Sequence, residues 1–537
     1  MRRAEPRPIR FHNTLTGRVQ AFEPITPGRV LMYGCGPTVY DFAHIGNFRT
    51  FVFNDVLRRS LEVLGYEVHQ VMNLTDVGHM TDDAVADGAG EDKMAVAAKR
   101  IKQAKKSGAA HLESIDNPDD PFEVARYYGQ AFLEDARRLR IKVADEAENI
   151  RPATEAIPQI IALIQRILDR EHAYVGPDGV VYFDVQSFPR YGQLSGNTLD
   201  KLREGSGGRI DAAHQKAKRH PADFMLWKPD PSHLMKWDSP WGAGYPGWHI
   251  ECSTLAMDAL GAETIDIHTG GEDLVFPHHE CEIAQSCAAT GADSFANYWL
   301  HARFLMVDGK KMSKSAGTFH TVRDVLEGRA TGRATDPAAL RFELLKAHYR
   351  KPANFTADGL AASGSNVAKL RGARDKLVGK LGGAAEAHAA AGRVDPARLV
   401  ELDAVVAFEE AIGDDLNTAA AIAAVFDFLK TDVEALDPAK ALAALGHFDG
   451  VLGVLEAAPE SVARAASAEI AGASGGASGA TSGGGGGFDA QAKAAELDRA
   501  RAAKDYASAD AIRAELVEAG YDVKTTPGGT VVAKKLA

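Results

Sequence analysis

The stretch from Arg29 to Val77 constrains the fold more than any other part of the chain. Val30-Leu-Met-Tyr-Gly34 is an apolar run ending in glycine, which predicts a short buried strand. Cys35-Gly-Pro-Thr38 carries breaker residues and predicts a loop. Phe53, Val56, Leu57, Leu61 and Leu64 then recur at helical spacing, with Gly65 placed to end the helix. Tyr66 to Met72 reads as a second strand. Strand, helix and strand in so short a span form a βαβ unit of a parallel, nucleotide-binding type of sheet. The same α/β character returns from about residue 245 to 318, where Ile265-Asp-Ile-His268 ends at Gly270-Gly271 and a helix is predicted after Pro277. Residues 80 to 235 are mixed, with a helix over Ile160–Leu168 and a strand over Val180–Val185. One parallel sheet interrupted by a long insertion is therefore expected.

Beyond about residue 338 the composition shifts to Ala, Leu, Glu and Lys with helical periodicity, as in Leu340, Phe342, Leu344 and Leu345, and later Val425, Phe426 and Leu429. This predicts an α-helical domain. Ala471 to Gly487 is rich in Gly, Ser and Ala and reads as a flexible linker. After it, Leu497, Ala509, Ile512 and Leu516 resume a helical pattern, and Thr530-Val-Val-Ala533 suggests a small strand. This tail holds eight basic and eight acidic residues, so bulk attraction is not its way of binding a polyanion. The whole chain has a formal charge of −12, which argues against nucleic-acid binding by net charge alone. No apolar run approaches the ~20 residues of a membrane helix. The start, Met1-Arg-Arg-Ala-Glu-Pro-Arg-Pro-Ile9, has charge without an apolar stretch, which predicts no secretory signal and a cytoplasmic location. Four cysteines in 537 residues are too few for a disulfide framework and read as buried apolar groups, reactive thiols or metal ligands.

Two short words carry charge chemistry. His44-Ile-Gly-Asn47 stands where the first loop enters the long helix, and helix N-terminal amides with a close-approach glycine at Gly46 suit a phosphate. Lys311-Met-Ser-Lys-Ser315 follows the turn Val307-Asp-Gly309. Two lysines in a mobile polar loop suit the charge that develops as pyrophosphate leaves. Either word alone could be a chance cap or a solvated loop. Together, on either side of an interrupted nucleotide-binding sheet, they resemble the motifs of class I aminoacyl-tRNA synthetases.

A third set concerns metal. His278 and Glu282 are four apart on the helix expected after Pro277, hence on one face. Cys35 and Cys252 add two soft donors, and the four make a plausible zinc set. By spacing alone, two buried thiols are the simpler alternative. The flanking words are more telling. Cys35-Gly-Pro-Thr-Val-Tyr-Asp41, Pro246-Gly-Trp-His-Ile-Glu-Cys-Ser253 and Phe276-Pro-His-His-Glu-Cys-Glu-Ile-Ala-Gln285 resemble cysteinyl-tRNA synthetases. So do Asp223-Phe-Met-Leu-Trp-Lys228, Trp237-Asp-Ser-Pro-Trp241 and the tail stretch Arg501 to Arg513.

The resemblance implies zinc on Cys35, Cys252, His278 and Glu282, one ion per chain. It places His44, Gly46, Asn47, Lys311 and Lys314 around Mg-ATP, with His44, Asn47 and the two lysines serving the chemistry. It sets Thr38, Thr50, Asn73, Thr75, Trp248 and Asp273 near a cysteinyl adenylate. The implied partners are L-cysteine, ATP and tRNA(Cys), the implied state a monomer, and no membrane is involved. The fold expected is a Rossmann-type parallel sheet, split into 1–120 and 236–318 by a connective insertion at 121–235. A stem-contact and helical-bundle region follows at 319–458, then a linker at 459–488 and a small tRNA-binding domain at 489–537. Asn47 departs from the full His-Ile-Gly-His form; it can donate to a phosphate but cannot become cationic. Cys281 stands where the family often has Asn and reads as a bystander, His279 and His249 as supporting residues, and Cys287 as core. A cysteine ligase of mycothiol biosynthesis shares the sheet and metal set, but the long extension after Lys314 argues against it. A non-catalytic RNA-binding relative would be expected to lose the ATP words, and both are present.

Overall fold

The computed structural model describes residues 5–77, 80–82, 89–106, 115–197, 217–312, 318–431, 433, 435–456, 493, 497, 505–518, 521–526 and 529–534. They belong to two compact units, one within Met1–Ala473 and one within Ser474–Ala537. The Gly/Ser-rich stretch and Lys314 lie outside the described residues.

In the first unit a hairpin, β1 (Arg10–Asn13) and β2 (Arg18–Ala21), precedes β3 (Arg29–Gly34), α1 (Ile45–Val63) and β4 (Glu67–Leu74). A second hairpin, β5 (Met80–Asp82) and β6 (Ala89–Asp92), leads into α2 (Lys93–Lys106), α3 (Pro121–Arg138), β7 (Ile150–Pro152) and α4 (Ile157–Asp169). An antiparallel sheet follows: β8 (Ala173–Val175), β9 (Val181–Phe183), β10 (Phe224–Pro229) and β11 (Gly244–Pro246). Then come α5 (Trp248–Leu260), β12 (Ile265–Gly271), α6 (Glu280–Thr290) and β13 (Ala296–Ala302).

The central sheet has the order β13-β12-β3-β4-β7, and every pairing in it is parallel. It is one sheet, built from both sides of the inserted antiparallel sheet. The alternation along β3 shows why it needs two helical layers. Val30 and Met32 join a core with Val52, Val56 and Leu57 of α1, while Tyr33 joins the opposite core with Ile160, Ile164, Leu255 and Ala284 from α4, α5 and α6. The edge strand Ile150–Pro152 comes from within the span 121–235 and extends the sheet beyond β4.

Beyond the sheet, β14 (Leu305–Val307) pairs with β15 (Lys310–Lys311) and, in parallel, with β16 (Ala353–Phe355). Between them lie α7 (Val322–Leu326) and α8 (Pro337–Leu345). The described residues from 357 to 456 are helical, as their periodicity predicts: α9 (Ala357–Lys380), α10 (Ala384–Gly392), α11 (Pro396–Leu399), α12 (Asp403–Gly413), α13 (Thr418–Thr431) and α14 (Pro438–Leu452). The second unit contains α15 (Tyr506–Glu518) and the hairpin β17 (Tyr521–Thr526) and β18 (Gly529–Lys534), with Leu497, Ala509 and Leu516 buried. Among the described residues no helix is long and apolar enough to cross a membrane.

Buried arginines tie these layers together. Arg49 of α1 donates to the carbonyls of Arg303, Leu344, His348 and Lys351, at 2.8 to 3.1 Å. Burial draws its pKa down to about 10, which still leaves it a cation at neutral pH. Arg341 of α8, fully buried, reaches the carbonyls of Leu139 and Leu452 and the carboxylate of Asp55.

Candidate metal and adenylate site

In an open parallel sheet, ligands sit outside the carboxyl ends of the strands, at the point where strand order reverses. Here the chain runs outward from β3 through β4 to β7 and returns on the other side through β12 to β13. The reversal therefore lies between β3 and β12, and Cys35 leaves β3 there, its amide donating to the Thr269 carbonyl at 3.2 Å. The loop after Cys35 is zipped onto the end of β4. Gly36 N donates to Asn73 Oδ1 at 2.8 Å, Asn73 Nδ2 to Thr75 Oγ1 at 3.1 Å, and Thr75 N to the Pro37 carbonyl at 3.0 Å. A Cβ on Gly36 would stand 1.7 Å from the Asn73 carbonyl oxygen, so no other residue allows this approach. Thr38 is bridged to Thr75.

Four of the residues singled out from sequence converge beside this loop. Cys35, Cys252, His278 and Glu282 are buried, each presenting one donor atom, all within 4.8 Å of one another. Cys252 sits in the second turn of α5, a helix begun by Gly247 after the inserted sheet. His278 lies in the turn Val275–His279 that leads into α6, and its Nε2 is 3.1 Å from Glu282 Oε1. Cys35 Sγ is 3.9 Å from Cys252 Sγ and 3.8 Å from Glu282 Oε1. Burial pushes the Cys35 thiol well up, with Cys252 and Glu282 adding to it. The hydrogen bond with Cys35 works to lower Cys252, but burial and Glu282 carry it up. Burial likewise raises Glu282 against the pull of His268. Two thiols and a carboxyl group crowded together without a cation are all shifted towards their protonated forms. A soft divalent cation would reverse that preference, so the donor set fits a metal.

A second set of four, Cys35, His268, His279 and Glu282, also brings its donor atoms within 4.8 Å of one another. Sequence reasoning gave His279 only a supporting place and missed His268. His268 Nε2 lies 2.8 Å from Glu282 Oε2, and its ring stacks on Trp299 at 4.5 Å. His279 Nε2 lies 3.3 Å from Cys35 Sγ, while its Nδ1 meets His301 Nε2 at 2.8 Å. Burial, then the neighbouring imidazoles, push His279 far below the usual histidine range. His249 Nδ1 meets His278 Nδ1 at 2.8 Å, which fixes the His278 ring. Cys281 faces the Tyr191 hydroxyl at 3.4 Å and belongs to neither set, and Cys287 is buried.

The two charge motifs also meet. His44 caps α1, its Nδ1 accepting from Asn47 N at 3.1 Å, while Asn47 Oδ1 accepts from His44 N at 3.2 Å. The asparagine thus completes a reciprocal capping box. A Cβ on Gly46 would lie 2.1 Å from Met312 Cε, so the second motif packs directly on the first. His44 also stacks edge-on against Phe319 and is bridged to Thr321. Lys311 is exposed in β15. Asp273 Oδ1 and Thr50 Oγ1 converge on Gly271, 2.3 and 3.6 Å from where a Cβ would stand. Trp248 lies 4.3 Å from the His278 ring.

The model of the tRNA synthetases class I (C) catalytic domain matches residues 21–365, and that of the DALR domain matches residues 407–456. The cysteine–tRNA ligase of Salinibacter ruber is 41% identical over 97% of this chain and 97% of its own length. The chain belongs to the cysteinyl-tRNA synthetase family. Its likeness to the cysteine–tRNA ligase of Chlorobaculum tepidum is 42% over 98% of this chain and 99% of the relative. For the Chlorobium luteolum ligase the identity is 40%, over 98% and 99%. One loop, leaving β3 at the strand-order reversal, carries Cys35 of the donor set at its start and His44 of the first charge motif at its end.

Proposed function

We propose that the chain ligates L-cysteine to tRNA(Cys) at the expense of ATP. The cysteine carboxylate attacks the α-phosphorus of Mg-ATP, giving cysteinyl-AMP and pyrophosphate. A 2′-hydroxyl of the terminal adenosine of the tRNA then takes the acyl group, and AMP leaves. The convergence of Cys35, Cys252, His278 and Glu282 at the strand-order reversal, beside the packed His44–Asn47 and Lys311 motifs, carries this reading. These four residues would hold a zinc ion, which when bound prefers the substrate thiolate to a neutral serine hydroxyl. Pocket shape alone separates two side chains differing by one atom poorly. His268 then orients Glu282 through its second oxygen, and this favours the set with two thiols over the set with two imidazoles.

His44 and Asn47, with the amides at the start of α1, cradle the ATP phosphates, and Lys311 and Lys314 supply cations as the pyrophosphate gains charge. Thr38, Thr50, Asn73, Thr75, Trp248 and Asp273 line the adenylate. The enzyme works in the cytoplasm, and the tail from residue 489 contacts the tRNA away from its acceptor end. The deciding experiment is cysteine-dependent charging of tRNA(Cys) by the purified protein; absence of charging would remove the reading.

Two further results are expected. Lys314→Ala should slow pre-steady-state adenylate formation by roughly a hundredfold or more while cysteine binding changes little, since the charge is needed where the phosphates gain charge. Normal adenylate formation would take Lys314 out of the site. Ending the chain after Gly483 should leave cysteine-dependent ATP–pyrophosphate exchange intact, because the motifs precede residue 316. Charging should fall through a higher KM for tRNA. Undiminished charging would show the tail to be dispensable.

A further inference from the structure

Helix α2 stands out on a chain with an excess of acid. Its fourteen residues, Lys93-Met-Ala-Val-Ala-Ala-Lys-Arg-Ile-Lys-Gln-Ala-Lys-Lys106, include six basic side chains and no acidic one. The helix is divided lengthwise. Met94, Ala97 and Ile101 are buried in the main core, while Lys99, Arg100, Lys102, Gln103 and Lys106 are exposed. Lys99, Lys102 and Lys106 follow the i, i+3, i+7 spacing of one face. At 1.5 Å per residue they make a line of cations about 10 Å long.

The position of this line matters as much as its charge. Arg100 Nη1 is 2.8 Å from Asp41 Oδ2, and Asp41 lies in the loop that carries Thr38 and His44. Two residues, Phe42 and Ala43, separate Asp41 from His44, a span of at most about 11 Å. The same rim is closed by α3 and α7, where Tyr128 packs edge-on against Phe42, Arg323 sits over the Phe42 ring, and Arg323 pairs with Asp135. The basic face therefore flanks the mouth of the adenylate cleft. Two ion pairs of this face, Arg100 with Asp41 and Lys102 with Asp119, are at the surface, where such pairs contribute little and exchange readily for a phosphate.

We infer that the exposed face of α2 binds the sugar-phosphate backbone of the tRNA acceptor arm as its terminal adenosine enters the cleft. The inference rests on the charging reaction proposed above, because only a strand delivered to the adenylate must pass this rim. A face serving only solubility would be expected to mix signs. This one offers a continuous row of cations to a polyanion.

The test is the triple variant Lys99→Gln, Lys102→Gln, Lys106→Gln in the full-length enzyme. Glutamine is nearly as good a helix former as lysine. Cysteine-dependent ATP–pyrophosphate exchange should be unchanged. The KM for tRNA(Cys) should rise roughly tenfold at moderate salt, and the slope of log(kcat/KM) against log[salt] should become shallower by about 2, as expected for three lost phosphate contacts. The matching triple Lys→Arg variant should keep the original KM and slope. An unchanged KM and salt slope in the glutamine variant would overturn the inference, as would an equal loss in the arginine variant. Failure of the unsubstituted enzyme to charge tRNA(Cys) would instead overturn the ligase reading itself.

Discussion

Replacing Cys252 by serine should strip most of the bound metal and lower cysteine activation by more than a hundredfold. Residues that merely orient a metal ligand typically cost 10- to 100-fold in affinity or activity when changed, and loss of a ligand itself should exceed that. The site offers no substitute without rearrangement. Cys252 is 99% buried on α5, and a serine hydroxyl would have to ionise to replace its thiolate, far above neutral pH. The neighbouring donors would then have fewer charges to balance a divalent ion, and the chosen ligand set would be left with one thiolate. Metal content per chain after purification and ATP–pyrophosphate exchange with cysteine are the two measurements. Cys281→Asn serves as the control and should leave both intact, because that thiol faces Tyr191. A serine variant with a full complement of metal and unimpaired activation would move the ligand assignment to the set that uses His268 and His279.

The convergence of the four candidate donors was legible because each lies in a word with its own turn or helix signal. Cys35 stands at the end of a buried strand, Cys252 in a helix, and His278 and Glu282 one helical turn apart. The two ATP motifs were legible for the same reason, one at a helix start and one after a turn. His268 and His301 were not. Each is a polar residue inside an apolar strand, β12 or β13, and a strand pattern says which face a residue takes without saying what awaits it there. Only the pairing of β12 with β3 and β13 brings His268 onto Glu282 and, through His279, His301 towards Cys35. The capping role of Asn47 was missed because it depends on the backbone amide of His44, which a comparison of side-chain chemistry overlooks. The long-range arginines were equally hidden: nothing in the helical pattern around Leu340 and Phe342 distinguishes Arg341 from a solvated surface cation.

That arginine should be the most costly single loss to stability away from the site. Arg341→Met should lower the unfolding midpoint in heat and in urea, by an amount corresponding to about 3–5 kcal/mol. Its guanidinium and the Asp55 carboxylate are both fully buried and 2.6 Å apart. Asp55 also accepts from Lys142 N at 2.8 Å and from Arg59. Burial alone would raise Asp55, but Arg59 and Arg341 hold its pKa below the ordinary carboxylate range. A depressed folded-state pKa contributes stability above the unfolded value and loses it as pH falls through the folded one. The variant should therefore lose most near neutral pH, and the gap between the two proteins should narrow as acid protonates Asp55. Removing the cation leaves the carboxylate with one fewer partner and leaves the Leu139 and Leu452 carbonyls without the donor that joins the end of α3 to the end of α14. Arg341→Lys should recover little, because one ammonium lacks the planar fork that reaches acceptors on three segments. A methionine variant as stable as the parent at pH 7, or a lysine variant that fully restores it, would show that packing around α8 holds these layers together without the ion pair.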